Sequence, residues 1–375
     1  ILSFSTAASQ VEILSLKVYT EESETQFPVL DFTDGINNRL IIEFDINAPF
    51  EPNMQIIFRF CDKDWNPYQN IFLQNFGRNT DYNLTFNFLP ANVTRAKYHF
   101  RNFYPDRNGN ITFPFSGKWK FYITDTQDTS KVYGKGKFIV VYNEVPLTVN
   151  IRKENLEDKV YFPADLGRVF NISTGFNLND NLFPAFVDRV EILENHKTDF
   201  IYIVDRTTGT STRYYNWNAD RQFTFVVKDI LPGNSYRQVD LRNVNRFIGP
   251  VVDAQRDGLE TTRFYSRPDK DLDGGFILTP FKNEFADYLT VNFKLRPPDD
   301  IYQDVFITGA FNNWKVTPEY KMENDFGLRT ISLELKRGIY DYQYVTGIIK
   351  NGIVTDVNRV ILEGNNHNTS NIYYV

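Results

Sequence analysis

The sequence predicts an all-β protein built as three β-sandwich domains in series, of immunoglobulin-like or early-set type. Three observations predict it. Apolar residues recur at period two along almost the whole chain, 34 Phe and 22 Tyr join the β-branched residues that suit a pleated surface, and short turns rich in Gly, Asn, Asp and Pro separate the runs. Successive strand side chains point to opposite faces, so an apolar residue at every second position marks a half-buried strand. No segment keeps a helical period, and less than about a tenth of the chain is expected in helix.

The elements follow in chain order. Residues 1–10 form an apolar piece running into Thr6-Ala7-Ala8, which reads as a leader or the remnant of a secretory signal and hence as a sign of export. No Cys follows the small residues, so lipid anchoring at that point is not expected. From residue 11, Leu14, Leu16 and Val18 share one strand face, and Leu40, Ile42, Phe44 and Ile46 repeat the pattern after the Asp34-Gly35 turn signal. Ile56, Phe58 and Phe60, then Leu84, Phe86 and Phe88, then Trp119, Phe121 and Ile123, then Phe138, Val140 and Tyr142 complete the first sandwich, residues 11–145. A polar-proline link at Asn143–Pro146 ends it.

Residues 146–296 form the middle β-rich domain. Val187, Val190 and Ile192, then Ile201 and Ile203, then Phe223, Phe225 and Val227 carry the alternation, with turns at 181–184 and 231–234. Consecutive prolines at Arg296-Pro297-Pro298-Asp299-Asp300 lack amide donors and favour an extended linker. The C-terminal sandwich, residues 297–375, holds Val305-Phe306-Ile307, the aromatic turn Gly309–Trp314, the run Ile331–Leu335 and the run Tyr340–Tyr344. Asn351-Gly352 is a two-residue hairpin signal, because both residues tolerate positive φ.

Composition removes several function classes. At roughly 150 residues per domain, 375 residues make two or three domains. With 41 basic and 47 acidic side chains the net charge is −6, and no Lys/Arg block is present, so a phosphate-neutralising nucleic-acid binder is not expected. No apolar run approaches the roughly 20 residues of a membrane helix, so no transmembrane segment is expected. The single Cys, Cys61, permits no internal disulfide, and His99, His196 and His367 are too scattered for a zinc site. No nucleophile elbow, phosphate loop or zinc-helix motif occurs, and no catalytic residue or cofactor is nominated.

Three segments carry possible binding chemistry. In Cys61-Asp62-Lys63-Asp64-Trp65-Asn66-Pro67-Tyr68, a strand ends in a polar turn with aromatics. Trp65, Asn66 and Tyr68 either anchor a partner, as aromatic hot spots do, or Trp65 folds back to cap the sandwich while the acids order the turn. Asp269-Lys270-Asp271-Leu272-Asp273-Gly274 places carboxylates at alternate positions before Gly, like the opening of a calcium loop. An EF-hand would put its bidentate Glu where Pro280 stands, so Asp269, Asp271 and Asp273 are either cation ligands or an acidic surface turn. Trp314 either stacks on a sugar face or packs at the sandwich edge. Trp217 is core or platform, undecided by its neighbours.

Two stretches resemble known families. Cys61-Asp62-Lys63-Asp64-Trp65, Asp81-Tyr82, Tyr98-His99-Phe100, Ser116–Phe121 and the strand Gly136–Val141 are similar, in order and spacing, to the N-terminal domain of the type IX secretion system plug family of Bacteroidota. Gly309–Trp314, Gly338–Val345 and Glu363–Thr369 resemble the early-set sandwich typified by the glycogen-binding module of AMP-activated kinase β subunits, a module also seen at the C-terminus of plug-family proteins. The first resemblance implies a non-enzymatic periplasmic protein, associated with the inner face of the outer membrane. It would dock on the periplasmic opening of the system's large outer-membrane β-barrel translocon and block it when idle. The second implies a glycan platform of Trp314, Asn365 and Asn366, hence the alternative of a periplasmic or surface glycan-binding protein of polysaccharide utilisation. The second Trp and the Lys of such platforms are missing here, since Gly327–Ile331 holds no Trp and Gln343 stands at the Lys position.

Overall fold

The computed structural model describes residues 11–33, 38–156, 167–218, 221–256, 258–262, 271–366 and 368–375. The Asp34-Gly35 turn, His367 and Asp269 lie outside them. The chain is all-β. Its described residues contain no α-helix, and the short 3-10 turns Pro184–Phe186, Ala310–Asn312 and Pro318–Tyr320 are the helical pieces among them. They form two compact units, one of Ile1–Asn143 with Leu278–Leu289 and Leu335–Gly338, the other of Glu144–Ile277, Thr290–Glu334 and Ile339–Val375.

The first unit is a sandwich. One sheet runs Glu12–Thr20, Leu40–Asn47, Tyr98–Tyr104, Phe86–Phe88, and the other Val29–Asp31, Val132–Val141, Gly117–Asp125, Met54–Phe60, Thr80–Asp81. The alternating sets fill the space between them: Leu40, Ile42, Phe44 and Ile46 from one sheet, Ile56, Phe58, Trp119, Phe121, Ile123, Phe138 and Val140 from the other. Phe58 is surrounded by Tyr104 and Phe113 with ring centroids at 4.9 and 5.2 Å, both edge-on, the orientation that ring quadrupoles favour. Phe88, at the end of its short strand, stays largely exposed beside Tyr98.

One strand departs from its expected face. Leu14, Leu16 and Val18 do not line up, because Ser15 takes φ 51° and the register slips between Leu14 and Lys17. The bulge turns Ile13, Leu16 and Val18 to the main core, while Leu14 packs on a second cluster of Leu89, Val93, Ala96, Ala286, Tyr288 and Phe281.

In the second unit, the sheet Thr148–Asn155, Arg168–Asn177, Gln222–Ile230, Arg213–Trp217 shares a core with Ile201–Asp205, Arg189–Glu194 and the final strand Tyr373–Tyr374. A further pair of sheets completes it. Gly338–Lys350 pairs with Arg237–Asp240, Phe276–Leu278, Asp304–Gly309 and Ile353–Asn358, and the partner sheet holds Val251–Asp253, Glu260–Thr261, Tyr288–Arg296, Leu328–Lys336 and Glu323–Asp325. Phe293 from one meets Tyr342 from the other at 5.0 Å. Strands from both sides of the Arg296–Asp300 link are therefore interleaved in one sandwich. The Asn351-Gly352 hairpin forms, with φ of 51° and 76°.

Candidate functional site

In the first unit, the Cys61–Tyr68 segment folds into a tight turn because Asp62 organises it. The Asp62 Oδ1 accepts from the backbone N–H of Asp64 at 2.9 Å and of Asn66 at 2.8 Å, and these bonds hold its carboxyl below the usual range. The turn carries Trp65 at φ 65° back onto the body, where it is 7% exposed. The ammonium groups of Lys118 and Lys137 lie 5.2 and 4.9 Å from its ring centroid, a pair of cation–π contacts. Trp65 thus occupies the capping position. Asn66 is exposed, and Tyr68 is partly so, resting on Phe60 at 5.3 Å. Cys61 is buried, and desolvation pushes its thiol up to about 11, which leaves it a poor nucleophile. Beyond the expected segment stand Ile71, Phe72 and Phe76, exposed to 62%, 84% and 77%. Sequence reasoning passed over them because they obey neither a strand nor a helix period.

In the second unit, Trp314 and the acidic turn prove to be parts of one buried assembly. Trp314 is 2% exposed, its Nε1 donates to the Gly274 carbonyl at 2.7 Å, and its ring lies 4.3 Å from that of Tyr236. A Cβ at Gly274 would sit 3.2 Å from the indole, and its φ is +87°, so glycine is required there twice over. The Asp341 Oδ2 accepts from the N–H groups of Leu272 at 2.6 Å and Gly274 at 3.1 Å, and Gln238 Nε2 donates to its Oδ1 at 3.0 Å. Burial outweighs those bonds and pushes the Asp341 carboxyl up to about 7.

The indole faces are therefore enclosed by protein, not laid open to a sugar. Asn365 turns inward too: its Oδ1 accepts from Gly233 N–H at 2.9 Å and its Nδ2 donates to the Arg168 carbonyl at 2.8 Å. The backbone N–H of Asn366 donates to Gly233. Asp271 spends its oxygens on the N–H groups of Tyr236 and Asp273, at 2.7 and 3.0 Å, and Asp273, raised by burial, accepts from Ser370 Oγ at 3.3 Å. Among the described residues no group of three or more His, Cys, Asp or Glu could hold a metal ion.

Two further polar clusters escaped the sequence reading because their members are far apart in the chain. Within the first unit, Asp45 is ligated by His99 Nδ1 at 2.7 Å, Lys336 Nζ at 2.7 Å and Tyr288 OH at 2.8 Å, all buried, with Phe281 stacked on the imidazole at 4.1 Å. The Asp–His pair has the form of a relay, and among the described residues His99 Nε2 meets no hydrogen-bond partner. Within the second unit, Arg237 bonds Glu363 and Glu260, each at 2.9 Å, and the Tyr344 hydroxyl closes on Glu260 at 2.5 Å. All four are buried, and the one guanidinium is shared between the two carboxylates.

Buried hubs and loop-borne aromatics define a multi-sandwich β protein whose polar groups are spent on holding its own loops. Residues 13–142 match the family described as "Type 9 secretion system plug protein 1st domain". The match falls on the stretch where Cys61–Trp65 and Ser116–Phe121 led one to expect a likeness to the first domain of the type IX secretion system plug family. A crystal structure of a hypothetical protein from Parabacteroides merdae ATCC 43184 superposes with a TM-score of 0.74 at 18% identity, covering 96% of this chain and 91% of that one. That likeness establishes a shared fold across nearly the whole length. No curated protein matches the chain. Among the described residues no helix is long and apolar enough to cross a membrane.

Proposed function

We propose that this chain is a non-enzymatic periplasmic plug subunit. It docks on the periplasmic opening of the large outer-membrane β-barrel translocon of the type IX secretion system, at the inner face of the outer membrane, and blocks it when no cargo passes. The observation that carries this is the match of residues 13–142 to the plug first domain. The physics supports it. A barrel wide enough for folded cargo leaks solutes unless something fills or covers it, and a stopper needs a broad, rigid body more than a catalytic cleft. Aromatic-filled sandwiches suit that role, and buried polar clusters stiffen each unit by itself, at Asp45 in the first and Arg237 in the second. Docking of this kind needs roughly 1,000 Å² or more of buried surface with a few aromatic anchors. The test is capture and permeability together. The tagged chain should retain the barrel from detergent-solubilised outer membrane, and cells lacking the chain should admit large antibiotics. An unchanged antibiotic barrier with no barrel captured would refute the proposal.

A further inference from the structure

The segment Gln69–Gly77 in the first unit reverses the usual polarity of a surface loop. The side chains of Asn70, Gln74 and Asn75 are engaged in hydrogen bonds with nearby backbone. Asn70 Oδ1 accepts from Phe72 N–H at 2.9 Å, and Gln74 Nε2 donates to the Gln69 carbonyl at 3.2 Å. Asn75 Nδ2 donates to the Thr112 carbonyl at 2.7 Å, and Asn79, itself buried, donates to the Gln74 carbonyl at 2.6 Å. The backbone adds a helical turn, with the N–H groups of Leu73 and Gln74 donating to the Asn70 carbonyl at 3.0 and 3.1 Å. With the polar atoms so engaged, Ile71, Phe72 and Phe76 are left pointing to solvent at 62%, 84% and 77% exposure.

Such an arrangement costs solubility and gains nothing for the fold, since all three side chains could be polar without loss of packing. Contiguous exposed apolar groups of this kind mark interaction sites in soluble proteins. The loop is also pre-organised, so little ordering entropy is lost when it binds. Two aromatic rings bury on the order of 300 Å² or more, over a third of one partner's share of a standard interface.

Charge decides between occupants. From Gln69 to Gly77 the loop carries no ionisable side chain, and the chain as a whole is −6. An anionic bilayer surface recruits clustered Lys and Arg, which are absent here, and would repel an acidic body. We infer that the Ile71–Phe72–Phe76 loop is the docking anchor for a protein partner that presents an apolar, uncharged pocket or ledge. Resting on the plug proposal above, that partner is the barrel's periplasmic rim.

The experiment replaces Ile71, Phe72 and Phe76 by Ser in the full chain and repeats capture from detergent-solubilised outer membrane, with the barrel identified by mass spectrometry. Phe326→Ser, at an exposed site in the second unit, serves as control. The expected result is capture lowered at least about tenfold in the triple variant and unchanged in the control, with an unaltered melting temperature. Equal capture by wild type and triple variant would overturn this inference while leaving the plug proposal standing. Failure of wild type itself to capture the barrel, with an unchanged antibiotic barrier in cells lacking the chain, would overturn both. Two more results would replace the occupant and equally overturn it: wild-type sedimentation with phosphatidylethanolamine–phosphatidylglycerol vesicles that the variant loses, or wild-type dimerisation in light scattering that the variant abolishes.

Discussion

Asp341 is the residue whose chemistry is most at odds with its place. Folding raises its carboxyl from 3.8 to about 7, since burial disfavours the charge more than three donated hydrogen bonds favour it. A raised acid contributes stability that is complete below the unfolded value and is lost as pH climbs through the folded one, at up to about 1.4 kcal/mol per unit. The window is thus pH 4 to 7. Asp341→Asn keeps the acceptor for Leu272 and Gly274 and removes the titration, with the Gln238 amide rotating to accept. Urea unfolding should find the variant close to wild type near pH 4 and more stable by a few kcal/mol, roughly, near pH 8. Parallel pH profiles for the two would show that Asp341 is charged throughout. Sterics set the second residue-scale expectation. A Cβ on Gly136 would lie 2.4 Å from a ring carbon of Phe121, which is fully buried, whereas at Gly134 the nearest atoms are flexible methyls at 3.2–3.4 Å. Gly136→Ala should cost about 1–3 kcal/mol and Gly134→Ala clearly less, read as melting temperatures; equal shifts would mean the Phe121 ring can yield.

Among the elements, the strand Gly338–Lys350 organises the second unit's last sandwich, with ten consecutive buried residues from its start. Its hairpin to Ile353–Asn358 depends on positive φ at Asn351 and Gly352, a conformation that costs a β-branched residue about 1–2 kcal/mol. Asn351→Val with Gly352→Val should open this hairpin locally. Amide exchange should then rise over Ile348–Thr355, where Ile348 and Ile353 are already exposed, while the global unfolding midpoint moves little. No change in exchange there would mean the hairpin is held by its strands and not by its turn. This element also shows how far the sequence is legible. The alternation at Tyr340–Tyr344 marked a strand, and the Asn-Gly pair marked its turn, because both signals are local. That the strand is buried on both faces was hidden, since Asp341 and Gln343 look like solvent positions, yet both are buried and Asp341 is held by Gln238 and the Gly274 N–H. The bulge at Ser15 has no composition signal. Trp65 and Trp314 each left a binding platform and an inward-packed cap open, because aromatic turn residues look alike whether a loop folds inward or outward, and only the Lys118–Lys137 and Tyr236–Gly274 contacts reveal the inward choice.

At the scale of the molecule, the first unit is more than the stretch that matches the plug family. Residues 13–142 contain Asp45 and His99, yet the unit's own Tyr288 and Lys336, which complete the ligation of Asp45, come from Leu278–Leu289 and Leu335–Gly338. Sequence periodicity could not show this, because Tyr288 and Lys336 stand 243 and 291 positions downstream of Asp45, in short segments that carry no mark of where they pack. Energetically the tie is strong. Removing one member of a buried ion pair strands the other and costs about 3–5 kcal/mol, far more than the pair's net worth. In the whole chain, Asp45→Asn should therefore lower the first unit's stability by that order, since the Lys336 ammonium loses its counter-charge in a buried site. In a fragment of residues 11–143 the same substitution has no Lys336 to strand, and its cost should fall to about 1 kcal/mol, the worth of a bond to His99. The difference between the two costs is a direct measure of coupling between the matched domain and its distant segments. Denaturant titrations of the four proteins give it. Equal costs in chain and fragment would mean that Lys336 and Tyr288 add nothing to what Asp45 contributes within residues 11–143.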